Sequence, residues 1–126
     1  MSNIEQLVLR NIIIDDDFMR KVLPFIKPEY FQGIYNQLFK EVAKFATKYN
    51  KMPTIESFKI EIEQNNRFSD DQFHTAIEIM PTIFDTTLEK SDPDWMLDTT
   101  EKWCQDRAIH NAIMESISII DGKHAN

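Results

Sequence analysis

The feature that most constrains the fold of this chain is its last long segment, from Asp94 to about Ile120, which contains neither glycine nor proline. Pro93 stands immediately before it, and the fixed φ of proline suits the first position of a helix. The segment therefore predicts one unbroken helix. At about 100° per residue, one largely apolar face of this helix is predicted to pack on another element. The side chains on this face are Trp95, Thr99, Trp103, Ile109, Ile113, Ile117 and Ile120.

This predicted face changes character along the helix, because Lys102, Asp106 and His110 interrupt its middle. The tryptophan half is placed to cap a hydrophobic core. The isoleucine half lies near the end of the sequence, where little of the chain remains to cover it. Two interpretations stay open: the isoleucine face is an interface for a partner, or it folds back and becomes ordinary core.

The composition favours helices. The chain has 126 residues, 42% of them hydrophobic, which suits one domain with a single core. Only two residues are glycine, and β-hairpins depend on glycine-containing turns. The predicted fold is all-α: a compact multi-helix head over residues 1–92, followed by a long C-terminal helix over residues 93–126.

Helix starts in the head are marked by capping residues. A capping box is predicted from Ser2 to Glu5, another from Ser69 to Gln72, and a further cap at Thr54. The run Asp15–Asp17 is interpreted as an N-terminal cap rather than a magnesium site. The segment 34–49 has the cleanest helical pattern and is predicted to be the central helix, burying Tyr35, Leu38, Phe39, Val42, Phe45, Ala46 and Tyr49.

The charge balance argues against nonspecific binding to nucleic acid. The formal net charge is −7, whereas phosphate binding requires a basic surface. A row of lysines does follow one face of the predicted central helix: Lys40, Lys44, Lys48 and Lys51. A solvated helix face explains this row better than contact with single-stranded DNA. No direct nucleic-acid binding is therefore expected.

The sequence predicts neither an active site nor a cofactor or metal. Glycine occurs only at Gly33 and Gly122, so a phosphate-binding loop with GK[ST] cannot be built. The histidines are isolated, and Asp106 with His110 is expected to form only a local helix-surface contact. One cysteine, Cys104, excludes an internal disulfide, consistent with a reducing compartment. Without a signal peptide or an apolar run of membrane-spanning length, we expect a soluble, cytoplasmic protein.

Several segments, taken in order, resemble one family across essentially the whole chain. Glu5–Leu9, Tyr30–Phe31 and Pro53–Thr54 are similar to the start of DnaB-type hexameric replicative helicases. The last helix is more specific and resembles the replicative helicases of T-even-like bacteriophages, through Thr100–Trp103, Gln105, Arg107–Ala108 and Asn111–Ile113.

The resemblance implies a particular role. In that family the corresponding segment is an N-terminal domain, a helical head followed by a helical hairpin, joined by a linker to a RecA-like ATPase domain. Six such domains form a collar, often a trimer of dimers, which contacts primase and helicase loaders. We therefore expect a noncatalytic, self-associating domain acting in a phage-infected bacterial host. The predicted interface residues are Trp103, Arg107, Ile109, Ile113, Ile117 and Ile120.

The sequence departs from the family pattern by ending at Asn126, just after the first arm of the expected hairpin. The expectation is either an excised domain or a reduced natural relative. The alternative function is a standalone acidic phage protein that regulates a replication enzyme by binding it. A reading frame continuing past Asn126 into a GK[ST] loop would favour the helicase domain.

Overall fold

The computed structural model describes residues 4–65 and 67–125, with side chains as far as Gly122, and all regular structure in this part is helical. The predicted all-α class is confirmed. The elements are α1 (Ile4–Ile14), α2 (Asp16–Val22), a 3₁₀ turn (Pro28–Tyr30), α3 (Ile34–Tyr49), α4 (Ile55–Glu63), α5 (Asp70–Ile83) and α6 (Pro93–Ala125).

The helix starts follow the predicted caps. The Asp15 carboxylate accepts a hydrogen bond from the Phe18 N–H at 3.2 Å, and the Thr54 hydroxyl accepts from the Ser57 N–H at 3.1 Å. Ser69 forms the full capping box with its partner Gln72. These bonds satisfy backbone groups that have no partner within the helix. The predicted box at Ser2 lies outside the described residues.

Two turns depend on left-handed backbone. Gly33 precedes α3 with a φ of 57° and a ψ of −132°. A residue with a side chain would be strained in this backbone conformation. Asn50 ends α3 with a φ of 57°, and its N–H donates to the Ala46 carbonyl at 2.8 Å. Asparagine tolerates this conformation better than most residues. Both residues redirect the chain so that α3 packs across the head.

The middle of the head is occupied by α1, which corrects the prediction that the segment 34–49 is central. α1 contacts α2, α3, α5 and α6. The apolar residues of α1 lie around most of this short helix, so neighbouring helices bury it on several sides. By contrast, α3 has a single apolar face. The fully buried side chains of the head include Val8, Leu9, Ile12, Leu38, Val42, Phe58, Ile62, Met80 and Ile83.

The predicted apolar stripe of α3 is buried only in part. Leu38, Phe39 and Val42 belong to the core. Phe45 is only half-buried and Tyr49 is 46% exposed. Phe45 lies at the edge of the buried arc and Tyr49 lies in the last turn, so the prediction that both are core residues is wrong.

The linker between α5 and α6 is fixed by a buried arginine. Arg10 of α1 donates from Nε to the Asp85 carbonyl at 3.4 Å and from Nη2 to the Leu88 carbonyl at 3.1 Å. Hydrogen bonds from the hydroxyl and the N–H of Thr87, with a smaller contribution from the Arg10 charge, hold the pKa of the Asp85 carboxyl below its usual value. The linker is thus tied to the centre of the head, and it sets where α6 begins.

Candidate interaction site

The last helix begins at the head and extends well past it. Its start is capped by Asp92, whose carboxylate accepts from the Trp95 N–H at 3.0 Å, and Pro93 occupies the first helical position. The helix has 33 residues, which corresponds to a length of about 50 Å at about 1.5 Å per residue. The predicted unbroken helix is confirmed.

The first half of α6 packs on the head through Met96, Thr100, Trp103 and Cys104, all of which are buried. Trp103 is only 8% exposed and meets two rings at their edges. Its ring centroid lies 6.3 Å from that of Tyr30 and 4.9 Å from that of Phe31. Edge-to-face contacts of this kind add stability beyond the buried area. Trp103 is therefore part of the core that joins α6 to the head.

Trp95 was predicted on the same face, yet it is 51% exposed. The buried face of α6 is rotated by about 130° from the face that carries the isoleucines, at about 100° per residue. Trp103 lies at the edge of the predicted face, nearest to the head, and Trp95 lies near its centre. The head therefore covers a different side of α6 from the one that the apolar pattern indicated.

A polar clamp holds α6 where it leaves the head. Arg107 donates from Nε to the Tyr30 carbonyl at 3.1 Å, and the Asn111 amide donates to the Glu29 carbonyl at 3.1 Å. Arg107 also donates to the Asn111 side-chain oxygen at 3.4 Å. With its amide oxygen toward the guanidinium, Gln32 accepts from both terminal nitrogens of Arg107 at 3.1 and 3.2 Å.

The clamp uses carbonyl groups at the end of the 3₁₀ turn, which a helical segment leaves without internal partners. A cation placed there is also favoured by the partial negative charge of those carbonyls. On the other side, the Glu5 carboxylate of α1 accepts from the Gln32 N–H. The turn is therefore held between α1 and α6, and this fixes the direction in which α6 projects.

The outer half of α6 is uncovered. Every residue from 112 to 122 is exposed, over about 16 Å of helix beyond Asn111. Ile109 is 60% exposed and Ile113 is 55% exposed. The other large apolar side chains exposed on this half are Met114, Ile117, Ile119 and Ile120. Monomeric soluble proteins rarely leave so many apolar side chains together in water, so this surface is the candidate interaction site.

The six predicted interface residues thus fall into two groups. Trp103 and Arg107 have partners in the head of the same chain. The four isoleucines lie on the exposed outer half, on a different side of the helix. Sequence reasoning missed Asn111, which completes the clamp. Its position four residues after Arg107 places the two side chains next to each other on one helix face, and this spacing could have identified it. That the six residues form one interface between arms stays a prediction.

A pocket of about 350 Å³ lies where α6 meets the loop after α2. Phe25, Tyr30, Cys104 and Ala108 give it a largely apolar lining, with Glu101 and Gln105 also contributing. Burial, with a smaller effect from the Glu101 charge, raises the pKa of the Cys104 thiol to about 11. A thiol that stays protonated is a poor nucleophile and a poor metal ligand.

We expect Cys104 to react slowly in the folded chain. The thiolate is the reactive form, and a pKa raised from 9.0 to about 11 reduces its population near neutral pH about 100-fold. The rate of labelling by a maleimide at pH 7 should therefore be at least about 100-fold lower in buffer than in urea. Equal rates in the two solutions would contradict the buried position of Cys104.

The same thiol gives a pH dependence of stability. Because its pKa is higher in the folded state, the unfolded chain binds fewer protons at high pH. The thiol's contribution to stability is complete below about pH 9 and is lost as the pH rises towards 11. Urea unfolding of the Cys104→Ala variant, which lacks this titration, provides the matched comparison.

The described part of the chain offers neither a metal centre nor a membrane-spanning helix. No cluster of three or more histidine, cysteine, aspartate or glutamate side chains suited to a metal ion is found there. None of the helices in that part combines the length and apolar character needed to cross a bilayer.

Comparison with known proteins supports the resemblance in the sequence. The chain is 27% identical over 115 residues to the DnaB-like replicative helicase of Enterobacteria phage T4, and the match covers 90% of this chain. The match covers only 23% of the length of that helicase. No family model matches the chain. The predicted similarity to a phage DnaB-like helicase is therefore confirmed, over a part of that protein.

Proposed function

We propose that the chain is the N-terminal collar domain of a phage replicative DNA helicase and that it acts through contacts with proteins. The observation that carries the proposal is the exposed isoleucine surface on the outer half of α6. The similarity to a DnaB-like replicative helicase over 90% of this chain supports it. In this proposal the domain itself neither hydrolyses ATP nor unwinds DNA.

The two parts of the chain have different tasks in this proposal. The head, residues 1–92, is a packed base, and residues 93–126 form an arm. The clamp of Arg107 and Asn111 on the 3₁₀ turn fixes the angle between them. Because that angle is fixed, the isoleucines of every subunit are presented in the same direction, which a closed symmetric ring requires.

The partners follow from the same proposal. A second arm, from the continuing chain or from another subunit, covers Ile109, Ile113, Ile117 and Ile120. Primase and a helicase loader bind the assembled heads in the cytoplasm of the infected bacterium. The negative net charge of the chain suits contacts with proteins better than contacts with DNA.

The isolated chain is expected to self-associate. Burial of four half-exposed isoleucine side chains supplies an apolar driving force at the arm. Sedimentation velocity from micromolar to millimolar concentration should show a dimer or a larger species that dissociates on dilution. A strict monomer at the highest concentration would show that the arm is not a self-sufficient interface.

A standalone regulator is the second candidate, favoured by the net charge of −7. Such a protein would bind a replication enzyme through the same isoleucine face without forming a ring. The downstream reading frame separates the two candidates. Continuation past residue 126 into a GK[ST] loop supports the collar domain, and a stop codon supports the regulator.

A further inference from the structure

The outer face of α3 carries a row of exposed positive charges. Lys40, Lys44 and Lys48 are exposed along the helix, and Lys51 follows in the next turn. Among the residues that the structure describes, Lys40, Lys44 and Lys51 form no ion pair. The chain as a whole has a net charge of −7, so this face is a local exception. A row of lysines without close ion-pair partners favours an anionic partner.

Two aromatic rings lie beside these lysines and outside the core. The rings of Phe45 and Tyr49 pack on each other with centroids 4.6 Å apart. The Lys48 ammonium lies 5.3 Å from the centre of the Tyr49 ring. Exposed aromatic rings next to charged groups are typical of interface residues. This pair was predicted as core, but Phe45 is only half-buried and Tyr49 is 46% exposed.

A small groove runs between the aromatic pair and α4. Its volume is about 90 Å³, and its lining is Glu41, Lys44, Phe45, Lys48, Tyr49 and Glu61. The Glu41 carboxylate is held by a hydrogen bond from the Asn65 amide. The groove is small enough to suit one aliphatic side chain. Its two carboxylates would repel a continuous row of phosphates, whereas a peptide can place an uncharged group beside them.

We propose that this surface of α3 docks an acidic segment of another protein. An apolar side chain of that segment packs on Phe45 and Tyr49, and its flanking carboxylates pair with Lys44 and Lys48. The groove carboxylates favour a peptide over single-stranded nucleic acid. This docking surface lies on a different helix from the isoleucines of α6, so it stands whether or not the arm assembles a collar.

The experiment uses a fluorescein-labelled peptide, Ac-DEDLFDED, and measures its binding to the chain by anisotropy. The same peptide with both apolar residues replaced by serine tests the aromatic contact. The Lys44→Glu plus Lys48→Glu variant should bind the peptide at least roughly tenfold more weakly than the unchanged chain, because two attractive pairs become repulsive. Tyr49→Ser should also weaken binding, and the serine peptide should bind poorly to the unchanged chain.

The matched control is Lys90→Glu plus Lys102→Glu, which changes the net charge equally at exposed positions on the linker and on α6. It should bind the peptide nearly as well as the unchanged chain. Circular dichroism confirms that each variant is folded. No binding of the peptide, or equal losses in the two double variants, would overturn the proposal. Tighter binding of an oligothymidylate with the same lysine dependence would overturn it in favour of nucleic acid.

Discussion

Replacing Trp103 by alanine is expected to lower the free energy of unfolding by about 3–5 kcal/mol, the usual cost of removing a large buried aromatic side chain. Trp103 is 8% exposed and contacts both Tyr30 and Phe31. Its loss leaves a cavity at the junction between α6 and the head. Because small domains are stable by only about 5–15 kcal/mol, this one change removes a large share of the total.

The matched control for this prediction is Trp95→Ala in the same helix. Trp95 is 51% exposed, and exposed substitutions usually change stability by less than about 0.5 kcal/mol. Urea unfolding followed by circular dichroism at 222 nm measures both. Equal losses for the two variants would contradict the position of the buried face of α6. A neutral Trp103→Ala would show that the junction is not packed.

The helix boundaries could be predicted from the sequence because the interactions that fix them are local. Ser69 and Gln72 satisfy each other's backbone N–H groups across three residues, and the Asp15 carboxylate accepts from the Phe18 N–H. Asn50 adopts a left-handed conformation that few other residues tolerate. Each signal is complete within one turn of the chain, so no knowledge of the tertiary structure is needed.

The buried face of α6 could not be predicted in the same way. The head packs on Thr100 and Cys104 as well as on Met96 and Trp103, and threonine and cysteine contribute little to an apolar pattern. Such small side chains allow a helix to approach the head closely. The isoleucines dominate the periodicity, yet they lie on the outer half, which no helix in the described part of the chain covers. The pattern therefore identified the surface that is left free, not the one that joins the head.

The role of Arg107 within the chain also depended on distant residues. The sequence placed Arg107 among the predicted interface residues, whereas its guanidinium donates to the Tyr30 carbonyl, 77 positions away in the sequence. A backbone acceptor has no signature in the side-chain pattern. The same limit applies to Phe45 and Tyr49, whose helical spacing matches that of core residues although the head ends short of them.

The two halves of α6 together explain how a small domain can present a rigid interaction surface. The packing of Trp103 fixes the position of the helix, and the clamp of Arg107 and Asn111 fixes its direction. The outer half then continues as an uninterrupted helix. Its isoleucines are presented on a rigid element, so little conformational entropy remains to be lost when a partner binds.

The second large effect is expected from Ile113→Asp combined with Ile117→Asp, which should abolish self-association of the isolated chain. Each isoleucine contributes about 1.5–3 kcal/mol when fully buried in an interface. The substitution removes this contribution and places a charge where the partner would have to desolvate it. Sedimentation velocity at the concentration where the unchanged chain is associated should give the mass of a monomer.

The same variant should remain folded, and this separates the two interpretations of the isoleucine face. Ile113 and Ile117 are exposed, so the cost to the monomer is the helix propensity of aspartate, up to about 0.7 kcal/mol for each position. Ile60→Asp is the matched control, because Ile60 is 54% exposed on α4, away from the arm, and its variant should keep the mass of the unchanged chain. Unfolding of the double variant would assign the face to the core. If the double variant still associates like the unchanged chain, the interface does not include the isoleucine face. The collar proposal would then lose the observation on which it rests.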